Sequence, residues 1–188
     1  MKAIIAGILF LVLITTTQHS FGQGTIAPEL NKTQIRATIL SLGVSVEQKL
    51  GEKQSFNLIA GMQPGFSSYT EVPGGTEYDF YVAPFVTGEI RNYYNRKYVK
   101  KELGPNSGNY VALAAGYNMS RINNDKGKDF YEESYENSFF VGPVWGIQRN
   151  YKNGFHLNFS IGLGYQSGEH LDGAIRTIST GGIGFYFK

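Results

Sequence analysis

The chain contains no cysteine. It therefore has no attachment site for a lipoprotein anchor, no disulfide scaffold and no Cys-ligated metal site. The chain also lacks an excess of charge of either sign. Its 17 Lys and Arg against 15 Asp and Glu leave a formal net charge of +2, which is too small to favour nucleic-acid binding. Beyond the N-terminal region, no segment approaches the about 18 consecutive apolar residues of a membrane-spanning helix. If the mature protein crosses a membrane, it must do so as a closed β-barrel, in which every backbone group is paired.

The N-terminus has the layout of a signal peptide. Lys2 precedes an apolar run from Ala3 to Ile14, and a polar stretch follows that ends in Ser20-Phe21-Gly22. Small residues near the end of that stretch place the cleavage site after Gly22, and the apolar run is too short to span a membrane. We expect a signal peptide at 1–22, an exported protein, and one mature domain at 23–188.

What the chain has in abundance is glycine and aromatic residues, with 24 Gly, 13 Tyr and 13 Phe. This composition favours an all-β domain with aromatic strands and short turns. The segment from Phe155 to Gln166 alternates between large apolar residues and small or polar ones. Such a strand has two unlike surroundings, and its dozen residues can cross a membrane at a tilt of about 45°.

The same alternation recurs along the chain and predicts seven clear strands. Their ranges are Thr33 to Leu50, Ser55 to Ser67, Asp79 to Tyr94, Asn109 to Asn118, Asn137 to Asn150, Phe155 to Gln166 and Ala174 to Lys188. Bacterial barrels have even strand numbers, and the apolar phase switches between Ile39 and Leu40, as a tight turn would produce. We therefore predict a single antiparallel up-and-down transmembrane β-barrel of eight strands, the first drawn from about Thr25 to Ile39.

Alternation alone does not say which face of a strand is the inside. A soluble barrel, binding an apolar ligand within, would solvate its outer face with Lys, Glu and Arg. Here the central parts of the second, fourth, fifth and sixth of the seven strands carry no charge, and their second faces are mostly Gly, Ser, Asn and Gln. Small neutral groups suit the crowded interior of a narrow membrane barrel, so the charge placement favours the membrane reading.

Several segments carry a resemblance to known proteins. They are Gly43-Val-Ser-Val-Glu47, Glu89-Ile-Arg-Asn-Tyr-Tyr-Asn95, Ser107-Gly-Asn-Tyr110 and Val141-Gly-Pro-Val-Trp-Gly-Ile-Gln-Arg-Asn-Tyr151. In these the chain resembles the small outer-membrane β-barrel proteins of the Bacteroidota. The resemblance implies location and fold but supplies no mechanism. The chain ends Phe185-Tyr-Phe-Lys188, which resembles an aromatic barrel-assembly signal except for its final Lys.

Three charged residues, Glu47, Glu89 and Arg91, fall close to turns on one side of the predicted barrel. An Arg facing lipid at the middle of the bilayer costs roughly 2 to 4 kcal/mol, so inward placement with carboxylate partners is the favourable arrangement. We predict an interior charge cluster from these three residues. An internal salt bridge that holds the strands in register is the simplest role, and a gate or a proton-responsive plug is the alternative.

A second group of residues predicts an aromatic girdle at the membrane interfaces. Aromatic rings stand at both ends of the apolar faces of several predicted strands. The predicted girdle consists of Tyr93, Tyr94, Trp145, Tyr151, Phe155 and Tyr165.

The inventory of nucleophiles and bases is thin, so we predict no catalytic residues, no cofactor and no metal site. In His156-Leu-Asn158, two side chains share one strand face. A Ser in place of the Asn would resemble the lipid A deacylase barrels, but Asn is not a nucleophile. His170 lies beside Glu169 and Asp172, a short loop cluster that does not imply a metal.

The function expected from these observations is a non-enzymatic integral barrel of the outer membrane. Its outward loops, Tyr69 to Tyr78, Met119 to Glu136 and Ser167 to Gly173, would serve surface interaction or envelope integrity. The expected partners are outer-membrane lipid and lipopolysaccharide, with the barrel-assembly machinery during insertion, and a monomer is expected. A small pore and a lipid-modifying enzyme are the alternatives, the first disfavoured because side chains fill an eight-stranded barrel.

Overall fold

The strands form a closed antiparallel barrel in which each strand pairs with its neighbours in chain order and the last pairs with the first. The computed structural model describes residues 29–39, 41–71, 75–95, 103–120, 122, 137–168 and 172–187. Within these ranges there are eight strands: β1 (Thr33–Thr38), β2 (Gly43–Lys49), β3 (Gln54–Glu71), β4 (Gly75–Tyr93), β5 (Gly108–Asn118), β6 (Ser138–Asn150), β7 (Phe155–Gly168) and β8 (Ala174–Phe187). The predicted all-β, eight-stranded, up-and-down architecture is confirmed.

The split of the first long segment into two strands arises at a turn between Ile39 and Leu42. The Leu42 amide donates to the Ile39 carbonyl at 3.3 Å, and Leu42 has a positive φ of 24°. This is where the apolar phase of the sequence switches, so the predicted turn is confirmed. The first strand begins at Thr33 rather than near Thr25. Residues up to 28, which include the predicted signal peptide, lie outside the described residues.

The hairpin of β3 and β4 is longer than its sequence predicts. The range Tyr69 to Tyr78 was expected to be a loop because it is rich in Gly and Pro, but the ladder continues to the pair Glu71 and Gly75. Backbone pairing does not depend on side-chain identity, so a hairpin already aligned over many residues extends into this segment. The expectation of a loop at Tyr69 to Tyr78 is therefore wrong for 69–71 and 75–78, which belong to the two strands, and 72–74 lie outside the described residues.

The barrel has two unlike ends. At the turn end lie the tight turns 50–53 and 151–154, the segment 103–107, the start of β1 and the end of β8. At the loop end lie Ile39 and Leu42, the ends of β3, β5 and β7, and the starts of β4, β6 and β8. The described residues of the predicted loops Met119 to Glu136 and Ser167 to Gly173 lie at this end, and Ser167 and Gly168 belong to β7. The remaining residues of these loops, 121, 123–136 and 169–171, lie outside the described residues.

Side chains alternate between an apolar outer surface and a polar interior. On β7, Phe159, Ile161 and Leu163 are exposed, whereas His156 and Ser160 are buried. The same holds around the ring, where exposed apolar side chains include Val44, Leu58, Ile90, Leu113, Phe139 and Phe185. The buried set within the described residues contains two Arg, two Glu and several Asn, Gln and Ser. This is the reverse of the distribution in a water-soluble domain.

Candidate functional site

Glu47 on β2 is the centre of a buried polar network near the turn end. Its side chain is fully buried, and each carboxylate oxygen accepts two hydrogen bonds. Ser55 Oγ at 2.5 Å and Tyr93 OH at 2.7 Å donate to Oε1. Arg36 Nη1 at 2.6 Å and Gln148 Nε2 at 2.9 Å donate to Oε2. Because an ionised carboxylate has about four acceptor positions, Glu47 is saturated by donors from β1, β3, β4 and β6.

Arg91 on β4 forms the second centre. It donates from both Nε, at 2.7 Å, and Nη2 to Oε2 of Glu89, and from Nη1 to Gln148 Oε1 at 2.6 Å. Its Nη1 also lies 4.0 Å from Glu47 Oε2. The structure thus brings together Glu47, Glu89 and Arg91, and all three are at most 1% exposed. Glu89 and Arg91 both point inward because they are two residues apart on β4, and residues two apart share one face of a strand.

Arg36 on β1 belongs to the same network, although the sequence analysis did not select it. Besides Glu47, it donates to Gln34 Oε1 and Ser45 Oγ, each at 3.0 Å, and to Asn57 Oδ1 at 2.5 Å. The sequence could have indicated an inward Arg36, because two interior carboxylates need two cations and the sequence analysis placed only Arg91 inside. We call Arg36, Glu47, Glu89 and Arg91 the interior ion cluster; its formal charges sum to zero.

Tyr93 is not part of the outer aromatic belt, which corrects its assignment to the girdle. It is fully buried, and its hydroxyl donates to Glu47. Its ring packs against that of Tyr110 at a centroid distance of 5.5 Å, and the Arg91 guanidinium lies 4.4 Å from the centroid of the Tyr110 ring. A buried phenol needs a hydrogen-bond partner, and the interior supplies a carboxylate. Its inward direction follows from the alternation on β4, which it shares with Arg91.

The remaining girdle residues lie on the outer surface. Tyr94, Trp145, Tyr151 and Tyr165 are each between 37% and 47% exposed, and Phe155 is half-buried. Trp145 Nε1 donates to the Tyr94 hydroxyl at 2.6 Å. Phe155 packs between Tyr151 and Phe185, with centroid distances of 5.6 and 6.4 Å. Outward aromatic rings with polar tips suit a boundary between lipid and water.

The segment Leu103 to Ser107 folds across the turn end and is buried apart from Pro105, which is half-buried. The Asn106 side-chain oxygen Oδ1 accepts a hydrogen bond from the Asn31 backbone amide at 2.8 Å. The Asn106 backbone carbonyl accepts one from Gln148 Nε2 at 2.6 Å. Asn150 donates to the Pro105 carbonyl at 2.6 Å. We call 103–107 the turn-end plug. It belongs to the connection between β4 and β5, which is rich in Lys and Arg and carries no sequence pattern that predicts a plug.

A cavity of about 420 Å³ extends from the ion cluster to the loop end. Its floor includes Arg36, Asn57, Arg91 and His156. Its walls carry hydroxyl and amide side chains, among them Thr38, Gln63, Thr87, Asn118, Gln166 and Thr180. The interior is therefore blocked near the turn end and hollow towards the loop end.

In the described interior no Ser or Thr hydroxyl is seen bonded to a histidine, and the Ser55 hydroxyl is bonded to Glu47, whose two carboxylate oxygens are already saturated by four donors. His156 is buried and its Nδ1 lies 2.6 Å from Asn150 Oδ1, while the Ser160 hydroxyl pairs with that of Thr180 at 2.7 Å. No group of three or more His, Asp or Glu among the described residues is placed to hold a metal ion. The same part of the chain contains no helix that is long and apolar enough to span a membrane.

Comparison with known proteins adds no family to these observations. No protein-family model, curated protein or solved structure matches the chain.

Proposed function

We propose that this protein is an integral β-barrel of the outer membrane, exported by its N-terminal signal, with no catalytic centre of its own. Its loops at the loop end face outward and serve surface interaction or envelope integrity. The observation that carries the proposal is the inverted distribution of side chains. Exposed Phe, Leu, Ile and Val surround the barrel, whereas two Arg and two Glu lie inside it.

The outer surface supports a membrane environment because burying each large apolar side chain is worth about 1.5 to 3 kcal/mol. In water the outward Phe, Leu and Ile side chains would not gain this stabilisation, whereas in lipid they would. The polar interior also argues against the alternative of a soluble barrel that holds an apolar ligand. Most of the residues that line the cavity have hydroxyl, amide or charged side chains, and apolar residues such as Ile59, Phe140 and Ile178 line the rest.

The alternative of a small pore is disfavoured by the turn-end plug and the ion cluster. Tyr93, Tyr110 and the cluster fill the interior of the barrel near the turn end, and 103–107 covers that end. In planar bilayers the purified protein should give no ion-conductance steps beyond those of a protein-free control. Regular steps would instead assign it to the pores.

The decisive experiment is heat modifiability combined with membrane fractionation. The protein should fractionate with the outer membrane, and its band on SDS gels should shift on boiling, because a closed barrel resists the detergent until heated. An unshifted band in the soluble periplasmic fraction would overturn the proposal. Lipid A mass spectra should be the same with and without expression, and a changed spectrum would favour a lipid-modifying enzyme.

A further inference from the structure

The barrel wall is incomplete at the loop end, because β1 and β2 are only six and seven residues long. β3 pairs with β2 from Ser55 to Gly61 and then continues to Glu71, and no described residue pairs with it on that side beyond Gly61. β8 pairs with β1 from Phe187 to Gly184, and the Ile39 amide donates to the Ile183 carbonyl at 2.7 Å, although β8 begins at Ala174. No ladder joins β3 to β8 within the described residues. With neighbouring strands about 4.8 Å apart, three spacings leave a side gap of roughly 14 Å above the β1–β2 hairpin.

The cavity lies directly behind this side gap. Its lining includes Thr38 and Ser41 at the hairpin tip, Pro64 on the β3 edge, and Ser179 and Gly182 on the β8 edge. These residues border the gap from below and from both sides. The cavity therefore opens sideways through the wall as well as towards the loop end.

The gap stands at the height of the apolar outer belt. In the β7–β8 register, Phe159, Ile161 and Leu163 lie opposite Gly181, Ser179 and Thr177. All six face outward, but the three on β8 are small or carry a hydroxyl. On its β8 side the opening is thus bordered by small or hydroxyl-bearing residues, at the level where β7 presents Phe, Ile and Leu to the surroundings, whereas Pro64 borders it on the β3 side.

Unpaired strand edges are tolerated at membrane depth only where they line a polar cavity or meet a polar partner. Beyond the hairpin, the edges of β3 and β8 offer a row of amide and carbonyl groups to whatever occupies the gap. The cations on the cavity floor are already committed, since Arg36 and Arg91 each bond through all three nitrogens. A group with hydroxyls and no net charge is therefore the best complement.

We propose that the cavity binds an amphiphile sideways from the membrane, with an uncharged, hydroxyl-rich head in the lumen and its acyl chain passing through the side gap. The inference rests on the membrane location proposed above. A volume of about 420 Å³ is in the range of small-molecule sites, large enough for a sugar-sized head.

The chain's own N-terminal segment is the rival occupant, because a strand can pair with a free sheet edge. The point at which this segment joins the barrel lies far from the gap. Asn31 is tied to Asn106 and Leu30 is buried, both at the turn end, whereas the gap begins beyond the hairpin tip at the other end. The amphiphile is therefore the occupant to test.

The test uses a monoacyl glucoside carrying a photoreactive diazirine beside the sugar. The full mature protein is reconstituted in phospholipid bilayers with this probe, irradiated and digested, and the adducts are located by mass spectrometry. We expect adducts on inward residues such as Gln63 and Thr180. Octyl glucoside at about ten times its Kd should lower their yield about tenfold, whereas glucose without a chain should leave it unchanged.

The route is tested with a staple across the gap, which the absence of native cysteine makes specific. Extending the register past the hairpin places Pro64 opposite Gly181, and both face outward. Bridging Pro64→Cys and Gly181→Cys with a bismaleimide should abolish the lumen adducts. The matched control is Leu163→Cys with Thr177→Cys, neighbours on β7 and β8, whose bridge does not span the gap and should leave the adducts in place.

The outcomes separate this inference from the proposed function. A heat-modifiable protein that inserts in bilayers but takes adducts only on outward residues would refute the site and leave the membrane barrel intact. Lumen adducts that persist in the bridged variant, or that glucose alone competes away, would refute sideways entry. Lumen adducts that appear only after removal of residues 23–28 would assign the gap to the chain's own segment. Failure to partition into bilayers would refute the proposed function itself.

Discussion

At the scale of single residues, the interior is organised around one carboxylate. Glu47 accepts hydrogen bonds from side chains on four other strands, so it stabilises contacts around the barrel and not only within one hairpin. Removing one partner of a buried ion pair leaves the other charge uncompensated, which costs about 3 to 5 kcal/mol.

Glu47→Gln should therefore lower the free energy of unfolding by about 3 to 5 kcal/mol, measured by denaturant titration in detergent micelles. Glu29→Gln makes the same chemical change at an exposed position and should stay within about 0.5 kcal/mol of the native protein. Equal effects of the two substitutions would mean that the ion cluster does not contribute to stability.

Tyr93 and Tyr94 are neighbours in sequence with opposite surroundings, which makes them a matched pair. Tyr93→Phe removes a donor to a buried carboxylate, and hydrogen bonds to charged groups are worth about 1.5 to 3 kcal/mol. Tyr94→Phe removes an exposed acceptor for Trp145, and we expect a loss below about 1 kcal/mol. Denaturant titration of both variants checks the order, and a larger loss from Tyr94→Phe would contradict the inward placement of Tyr93.

Sequence reasoning at this scale reached the polar residues better than the aromatic ones. Strand alternation and the energy of a lipid-facing charge indicated an inward Glu47 and Arg91. Arg36 was predictable in the same way, because it is two residues from Gln34 on one strand face. Tyr93 was assigned to the outer face because an aromatic ring suits either face, although it shares the strand phase of Glu89 and Arg91; its hydroxyl bond to Glu47, 46 positions away, is not visible in the sequence.

At the scale of elements, strands β6 and β7 approach each other closely around Pro143. The ladder is interrupted there, with pairs at Val141 and Tyr165 and again at Val144 and Gly162 but none between them. A proline has no amide hydrogen to donate. A Cβ at Gly162 would lie 2.8 Å from the Val144 Cα and would also overlap the Pro143 carbonyl oxygen.

Gly162→Ala should accordingly lower the free energy of unfolding by about 1 to 3 kcal/mol, the usual range for overpacking. Gly181→Ala on the adjacent strand is the control, because its Cβ would meet only ordinary contacts at 3.7 Å. Thermal unfolding followed by circular dichroism would compare them. If both variants unfold at the same temperature, the close approach of β6 and β7 is not a constraint on the fold.

The bounds of elements were predictable where the side-chain pattern changes and not where only the backbone pairs. The turn between β1 and β2 follows from the change of apolar phase at Ile39 and Leu40. The extension of β3 and β4 to Glu71 and Gly75 could not be predicted in this way, because the Gly, Pro and Thr residues there show no alternation of apolar and polar side chains. The turn-end plug was equally hidden, since its bonds to Asn31, Gln148 and Asn150 join distant parts of the chain.

At the scale of the whole molecule, the two ends of the barrel differ in closure. The turn end is covered by the plug and filled by the ion cluster, whereas the loop end opens to a cavity. Both described ends of the barrel, at Thr33 and Phe187, lie at the turn end. In the outer membrane, an even-stranded barrel keeps both of its ends in the periplasm. The proposed outer-membrane location therefore predicts that the loop end faces the cell exterior.

This orientation predicts which positions are reachable from outside an intact cell. Asp172 lies at the loop end and Lys53 at the turn end, and both are exposed. With no native cysteine as background, a membrane-impermeant maleimide should label Asp172→Cys on whole cells and leave Lys53→Cys unlabelled. After the outer membrane is permeabilised, both variants should be labelled equally, which controls for intrinsic reactivity. Labelling of Lys53→Cys alone on whole cells would invert the barrel and place the cavity, the side gap and the loops on the periplasmic side.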